Sequence, residues 1–431
     1  MRRDPDARGR RPLDLHREPR RRGGPWRRTA HVLPPHVPGL AGGASGAPAR
    51  ARSVAARVTF TRYVRPYAEV RAIMIDRAHG RVANRNPFEF ADAAEVERAF
   101  AGLRSLDPAE WVGAFGAVAT EHAERARAAE GRGDPATAKT EWLAAYNFER
   151  VARYPAPSSP AKAAAYARER AHYANAARFF DPPLEIVRIP FRGRPGEGAE
   201  IVAHLRLPRG RARPPLVMHW GGIDSYKEDR RVEPYLERGL AVLALDMPGT
   251  GEAPLRGSLD AERLWDPLFD WAVARGDVDG TRVAIVGGST GGYWATKLAH
   301  THRERIRAAV NHGGPVHEAF TERWIERSQR GDYPFELVET LAWAFGLGGP
   351  EEYVAFAPRL SLLEQGLLDR PCAALLCVNG VDDTVFPIAD HELLLRHGEP
   401  KAARFFPGGH MGNTPQTTPT IVGWVDRELR R

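Results

Sequence analysis

Residues 282–293 read Arg-Val-Ala-Ile-Val-Gly-Gly-Ser-Thr-Gly-Gly-Tyr, an apolar strand that runs into Gly-x-Ser-x-Gly and then into a helix. Such a turn presents a serine hydroxyl, here that of Ser289, beside backbone N–H groups that can receive negative charge. The glycines at 287, 288, 291 and 292 have no side chains to obstruct the turn. The pattern predicts a nucleophile elbow; a glycine-rich turn with an incidental serine is the structural alternative.

A serine elbow of this kind requires an acid on a loop beyond a later strand of an α/β-hydrolase sheet. Residues 371–378 are predicted to form a buried strand, and the following turn, 379–387, carries two adjacent carboxylates. Asp383 is the predicted acid, because it lies three residues after Gly380. Asp382 is the alternative.

A histidine comes last in the same order of residues. Residues 402–406 are predicted to form the final strand, and His410 follows in a loop that contains glycines, just before a last helix predicted over 418–430. This position distinguishes His410 from the other histidines of the chain. Ser289, Asp383 and His410 are therefore predicted as a catalytic triad.

Acyl transfer also requires N–H donors for an oxyanion, one from the residue after the nucleophile and one from a loop after an early strand. Thr290 supplies the first. Residues 216–219 are predicted to form that early strand, and the N–H of Gly222 or Ile223 supplies the second. A simple tight turn at these glycines is the alternative, and the turn 246–251 is assigned a structural role.

Five segments together resemble the FrsA-like α/β-hydrolases, a group similar to 2,6-dihydroxypseudooxynicotine hydrolase and to fungal heptaketide hydrolases of pigment pathways. The resemblance covers roughly residues 85–430. The segments that carry it are 221–228 (Gly-Gly-Ile-Asp-Ser-Tyr-Lys-Glu), 246–251, 287–292, 379–387 and 408–410.

This resemblance implies a helical N-terminal domain that covers the active site, and a homodimer. It also implies an activity, because several such enzymes cleave a carbon–carbon bond next to a ketone instead of an ester. In the pseudooxynicotine enzyme an acidic side chain follows the Gly-Gly pair and takes part in the site. Asp224 holds the comparable place here, as a possible auxiliary acid, although it is one methylene shorter than a glutamate. A carboxylate that caps the turn is the alternative.

The residue pattern divides the chain into three parts. Residues 1–57 are rich in Arg, Pro and Gly and are predicted to be disordered, residues 58–183 to form a helical cap domain, and residues 184–431 a doubly wound, mostly parallel sheet. Helices are predicted over 91–103, 107–131, 134–154 and 159–180. Their aromatic pairs, such as Trp111 with Phe115 and Trp142 with Tyr146, are typical of core packing, and the alternative is an aromatic-walled pocket.

The formal net charge of +8 is concentrated at the N-terminus. Residues 1–60 hold fourteen basic and four acidic residues, which leaves 48 basic and 50 acidic residues in the remainder. The enzyme body is thus nearly neutral, and the sequence predicts no nucleic-acid partner.

The sequence predicts a cytoplasmic protein. The first 57 residues lack the apolar segment of a secretory signal, and no run of eighteen apolar residues predicts a membrane span. A mis-assigned start, with the protein beginning near Val58, is an alternative to a functional tail. Cys372 and Cys377, placed on opposite faces of one predicted strand, are expected as unbridged core residues.

No P-loop, dinucleotide motif, zinc-spaced cysteine pair or His-x-x-x-His occurs, so no cofactor and no metal are predicted. The leading functional hypothesis is hydrolysis of an ester or a ketone-adjacent carbon–carbon bond in a bulky, aromatic or polyketide-like small molecule. Two alternatives stay open. One is a non-hydrolytic cyclase or carbon–carbon bond-forming enzyme, and the other is a hydrolase-fold protein that only binds a ligand.

Overall fold

The computed structural model describes residues 60–80, 88, 91–397 and 401–431. The predictions of a disordered leader and of a mis-assigned start fall outside these residues. Contacts divide the chain after Ala56, and residues 57–431 form one compact unit. The boundary predicted at residue 183 lies inside this unit and stays a prediction.

Helices occupy the first part of this unit. Three of them begin at a proline, and the residue before each proline caps the helix: Asp107, Asp134 and Ser159 accept backbone N–H groups through their side chains. This is the helix-start pattern that the sequence predicts. The helices are α1 (Tyr67–Ala78), α2 (Ala93–Ala101), α3 (Pro108–Gly131), α4 (Pro135–Arg153) and α5 (Pro160–Ala177).

Within the described residues, eight strands form one sheet in the order β1-β2-β4-β3-β5-β6-β7-β8. The pairs β1–β2 and β2–β4 are antiparallel, and the pairs from β4 through β8 are parallel. The carboxyl ends of the parallel strands therefore meet at one edge, where α/β proteins bind their ligands. The strands are β1 (Leu184–Pro190), β2 (Glu200–Arg206), β3 (Pro215–Trp220), β4 (Ala241–Ala244), β5 (Asp279–Gly288), β6 (Ala308–His312), β7 (Ala374–Gly380) and β8 (Lys401–Phe406).

Both faces of the sheet are buried under helices. Successive side chains of β3 alternate between two apolar clusters, because side chains along a strand point to opposite faces. Leu216 and Met218 pack in the cluster that contains Leu298, whereas Val217 packs in the cluster that contains Val425. The helices that follow the first strands are α6 (Glu233–Leu236), α7 (Asp266–Ala274), α8 (Gly291–Thr301), α9 (Glu322–Ser328), α10 (Leu337–Ala344), α11 (Pro350–Phe356), α12 (Ile388–Arg396) and α13 (Thr417–Arg430).

The structure is that of an α/β-hydrolase, a mostly parallel sheet between helices, as predicted. Helices α9 to α11 form an insertion between β6 and β7. The sequence patterns predict neither these three helices nor α1. None of the helices in the described ranges is both long and apolar enough to cross a bilayer.

Strand β7 begins three residues later than predicted. Pro371 has no N–H for a sheet ladder, and the Ala373 N–H donates to the Ala299 carbonyl at 2.8 Å instead of to a neighbouring strand. Cys372 therefore lies outside the strand, and the expectation that both cysteines share it is wrong. Cys372 and Cys377 are both buried and unbridged.

The helix after the elbow approaches the sheet closely at Gly292. A Cβ on Gly292 would lie 2.8 Å from the Cα of Gly314, in the loop that follows β6. Side chains essentially never tolerate this separation from backbone, so α8 or that loop would have to shift. Gly292 therefore sets the distance between the elbow helix and the sheet.

Gly292→Ala is expected to lower the free energy of unfolding by about 1–3 kcal/mol, the usual cost of overpacking. The matched control is Gly113→Ala in α3, where an added Cβ would meet nothing within 4 Å. This control should gain up to about 1 kcal/mol from helix propensity. Urea unfolding midpoints measure both changes. Equal midpoints for wild type and Gly292→Ala would show that the close approach at Gly292 is not required.

Candidate active site

Ser289 lies at the turn between β5 and α8, as predicted for an elbow. Its φ is 53°, in the left-handed region that serine rarely adopts. Two backbone hydrogen bonds hold this conformation: the Ser289 N–H donates to the His312 carbonyl at 2.8 Å, and the Gly292 N–H donates to the Ser289 carbonyl at 2.8 Å. The turn thus directs the hydroxyl toward the carboxyl edge of the sheet.

Ser289, His410 and Asp383 form one chain of hydrogen bonds. His410 Nε2 lies 2.8 Å from Ser289 Oγ, and His410 Nδ1 lies 2.8 Å from Asp383 Oδ2. All three residues are buried, and His410 is 0% exposed. Because an ionised carboxylate only accepts hydrogen bonds, Nδ1 carries the imidazole proton and Nε2 is left to accept from the serine hydroxyl.

The Asp383 carboxylate is held ionised. Its Oδ1 accepts the N–H groups of Val385 at 2.7 Å and Phe386 at 3.0 Å, and its Oδ2 accepts Asn379 Nδ2–H at 2.9 Å. Burial by itself would raise the pKa of Asp383, but His410 and these donors outweigh burial and lower the pKa below its ordinary value of 3.8. Asp382, the alternative acid, is exposed, and it is Asp383 that contacts His410.

Asn379 and His312 hold the loop that carries His410. Asn379 is 0% exposed, and its Oδ1 accepts the Met411 N–H at 2.9 Å while its Nδ2 binds Asp383. His312 Nε2–H donates to the Met411 carbonyl at 2.8 Å. Burial lowers the pKa of His312 to about 4, so the ring is neutral. Asn379 and His312 lie at the carboxyl ends of β7 and β6, where polar residues are common in this fold, so no local pattern in the sequence predicts these contacts.

The loop after β3, residues 221–232, is called the β3 loop below. Its Gly222 faces the nucleophile directly: a Cβ added there would lie 2.8 Å from Ser289 Cβ and 3.0 Å from Ser289 Oγ. Glycine at this position is therefore a steric requirement of the close approach. Ile223 and Thr290 are both buried, and Thr290 directly follows the serine. Gly222 thus lies directly against Ser289, and the roles of Thr290, Gly222 and Ile223 as oxyanion donors stay predictions.

Residues 95–430 match the family model described as Esterase FrsA-like. The chain belongs to the FrsA-like esterase family. It is thus an enzyme of the α/β-hydrolase fold, and the predicted resemblance is confirmed.

Two curated relatives match most of the chain. Esterase FrsA of Citrobacter koseri is 29% identical over 306 residues, which are 69% of this chain and 72% of that esterase. Hydrolase phmG of Phaeosphaeria nodorum is 26% identical over 361 residues, which are 73% of this chain and 81% of that hydrolase.

Two solved structures share the fold. The crystal structure of 2,6-dihydroxy-pseudo-oxynicotine hydrolase superposes with a TM-score of 0.64 at 19% identity, over 84% of this chain and 95% of that one. The wild-type structure of AbyA5 superposes with a TM-score of 0.61 at 26% identity, over 78% of this chain and 94% of that one.

Asp224 lies in the β3 loop, two residues beyond Gly222, and is 5% exposed. Its backbone carbonyl accepts a hydrogen bond from Arg153 Nη1 at 3.0 Å. The predicted auxiliary acid is thus a buried residue on the same loop as Gly222.

The turn 246–251 has the structural role that the sequence predicts. Asp246 accepts the backbone N–H groups of Lys227 and Glu252, each at 2.8 Å, and its Oδ2 lies 3.0 Å from Lys227 Nζ. The turn after β4 is therefore joined to the β3 loop by a buried ion pair.

The aromatic stripes of the helices divide between two environments. Trp111 and Phe115 pack together in the main core, with ring centroids 4.8 Å apart. Tyr146 and Tyr173 instead line a cavity of about 540 Å³ between α4, α5 and the β3 loop.

Among the residues that the structure describes, no group of three or more His, Cys, Asp or Glu side chains is arranged to hold a metal ion.

Asp383→Asn should lower kcat by roughly 10³–10⁴-fold, because an amide cannot hold the imidazole in the tautomer that accepts the serine proton. Asp382→Asn, one residue earlier and exposed, is the matched control and should retain wild-type kcat. Steady-state hydrolysis of p-nitrophenyl acetate measures both. A larger loss for Asp382→Asn than for Asp383→Asn would reverse the assignment of the acid.

Proposed function

We propose that this FrsA-like enzyme is a serine hydrolase that uses Ser289, His410 and Asp383 as its triad. The observation that carries the proposal is the buried chain of two 2.8 Å hydrogen bonds that joins these side chains. Nucleophile, base and orienting acid stand in the order and at the separations that acyl transfer requires.

In the proposed reaction the Ser289 hydroxyl attacks the substrate carbonyl while His410 Nε2 takes its proton. The oxyanion of the tetrahedral intermediate accepts hydrogen bonds from the N–H of Thr290 and from that of Gly222 or Ile223. His410 then gives its proton to the leaving group, and the acyl group stays on Ser289. Water, deprotonated by His410, attacks this acyl-enzyme and releases a carboxylic acid.

The proposed substrate is a bulky, aromatic or polyketide-like carbonyl compound. Support comes from the shared fold with a hydrolase of 2,6-dihydroxy-pseudo-oxynicotine.

Ser289→Ala should abolish covalent labelling by a fluorophosphonate and lower kcat for p-nitrophenyl acetate by roughly 10⁴-fold or more, because the bond-forming oxygen is lost. The control is Ser158→Ala, an exposed serine between α4 and α5, which should react like wild type. Gel fluorescence and mass spectrometry of the labelled peptide measure the reaction. A folded wild-type protein whose Ser289 never reacts would favour the ligand-binding alternative.

Cleavage of a carbon–carbon bond next to a ketone is a second candidate, and the burial of Asp224 beside Gly222 favours it. A carbon leaving group must receive a proton at carbon, and a buried acid near the oxyanion site can hold or deliver that proton. An alkoxide leaving group is protonated by His410 alone. The proposed role of Asp224 is thus specific to the carbon–carbon reaction.

Asp224→Asn should therefore depress hydrolysis of a 1,3-diketone such as benzoylacetone far more than hydrolysis of p-nitrophenyl acetate, by roughly 10²-fold against a few-fold. Reaction in ¹⁸O-labelled water, with mass spectrometry of the carboxylic acid, verifies that water supplies the new oxygen. Equal losses on both substrates would assign Asp224 to shaping the loop. Product that lacks the label would favour the non-hydrolytic alternative.

A further inference from the structure

The β3 loop has one side against the nucleophile and the other against the helical part of the enzyme. Gly222 forms the first contact. A Cβ added to Gly222 would lie 3.0 Å from Ser289 Oγ. The second contact is made by side chains of α4 and α5. The position of the backbone at Gly222 and Ile223 therefore depends on residues about 70 positions earlier in the sequence.

Arg153, the last residue of α4, makes the central contact. It is 0% exposed, and its Nη1 donates to the Asp224 carbonyl at 3.0 Å and to the Pro155 carbonyl at 3.2 Å. Its guanidinium carbon lies 3.9 Å from the centre of the Tyr226 ring. One side chain thus binds the loop backbone directly after Ile223 and packs over an aromatic ring two residues further on.

Glu169 of α5 fixes the orientation of Arg153. The Arg153 Nε and Nη2 groups donate to the two carboxylate oxygens of Glu169 at 3.0 and 3.2 Å, a bidentate pair with both side chains 0% exposed. A planar guanidinium held in this way can present Nη1 in only one direction. That direction is toward the β3 loop.

A second set of contacts holds the same loop at Asp229. Its carboxylate lies 2.8 Å from Arg150 Nε, an ion pair, and accepts a hydrogen bond from the Tyr146 hydroxyl, and both of these partners belong to α4. It also accepts the Tyr226 N–H at 2.7 Å, which closes a turn within the loop. Arg153 and Asp229 therefore hold the loop at two points, one on each side of Tyr226.

We propose that Arg153 is a positioning residue for the oxyanion site, and that α4 and α5 hold the Gly222–Ile223 backbone in register with Ser289 through it. This inference rests on the proposed hydrolytic function. Arg153 does not touch the substrate in this scheme. Its effect is confined to the step in which negative charge develops on the substrate oxygen, because a donor shifted by about an ångström loses most of its stabilising effect.

Arg153→Met alone would leave the buried Glu169 carboxylate without its cation, which destabilises the fold. The test therefore uses the double variant Arg153→Met/Glu169→Met, which removes both charges, together with Arg153→Lys, which keeps a cation but loses the planar fork. The control is the double variant Arg168→Met/Glu149→Met, which removes the neighbouring ion pair between the same two helices without leaving a buried carboxylate unpaired. Arg168 and Glu149 pair with each other and not with the described residues of the β3 loop, so this control should behave like wild type.

Each protein is first titrated with a fluorophosphonate to count reactive sites, and rates are then expressed per reactive site. For the double variant, kcat for p-nitrophenyl acetate should fall roughly ten- to hundred-fold while KM changes by no more than about threefold. Arg153→Lys should show an intermediate loss. The inhibition constant of an aryl trifluoromethyl ketone, which forms an oxyanion on Ser289, should rise by a factor similar to the loss in kcat/KM.

A purely structural role would lower the number of reactive sites and leave the rate per site unchanged, and this result would overturn the inference. It would also be overturned if both Arg153 variants retained kcat within about twofold of the Arg168→Met/Glu149→Met control. Failure of the hydrolytic proposal is seen separately, since wild type would then show no labelling that Ser289→Ala abolishes. In that case the inference fails with it.

Discussion

Ser289 has a φ of 53°, and a serine keeps this conformation only where the surrounding backbone leaves it no alternative. The backbone that does so comes from β6 through His312 and from α8 through Gly292. Two further loops then have to approach the same point closely, one with Gly222 and one with His410. This crowding accounts for the glycines around the elbow, because a larger residue at these positions would push the elbow turn and the two loops apart.

Asp383 and His410 are held in place by the polar side chains of Asn379 and His312. Asn379 binds Asp383 with its amide N–H and the Met411 N–H with its carbonyl oxygen, so a single buried side chain joins the acid loop to the histidine loop. His312 adds a bond to the Met411 carbonyl. These bonds satisfy groups that would otherwise be buried without partners, and they restrict His410 to one orientation. Precise orientation of the base is what general-base catalysis requires.

Helices α4 and α5 contact the β3 loop through charged side chains as well as apolar ones. Arg153, which binds the loop carbonyl of Asp224, pairs with Glu169 out of contact with water, and Asp229 of the loop pairs with the partly buried Arg150. Such pairs add little net stability because desolvation offsets their attraction. They do impose direction, since a guanidinium fork and a carboxylate fit in few geometries. A purely apolar contact would allow the helices to slide against the β3 loop. The charged contacts do not allow such sliding, which suits a loop whose Gly222 lies directly against Ser289.

The sequence by itself determined the elements that local patterns encode. Proline with a capping Asp or Ser marks the starts of α3, α4 and α5, an apolar run before Gly-x-Ser-x-Gly marks β5 and the elbow, and the order serine, acid, histidine places Ser289, Asp383 and His410 on loops of one sheet edge. These signals are local because capping, turn conformation and strand burial depend on neighbours a few residues away.

Only the tertiary structure decided between Asp382 and Asp383, since adjacent residues differ only in which of them faces His410. The same holds for Asn379, His312 and Arg153, whose partners lie 32, 99 and 71 positions away in the chain. Contacts at such separations depend on how the strands are ordered and how the helices pack, and no local pattern in the sequence records them.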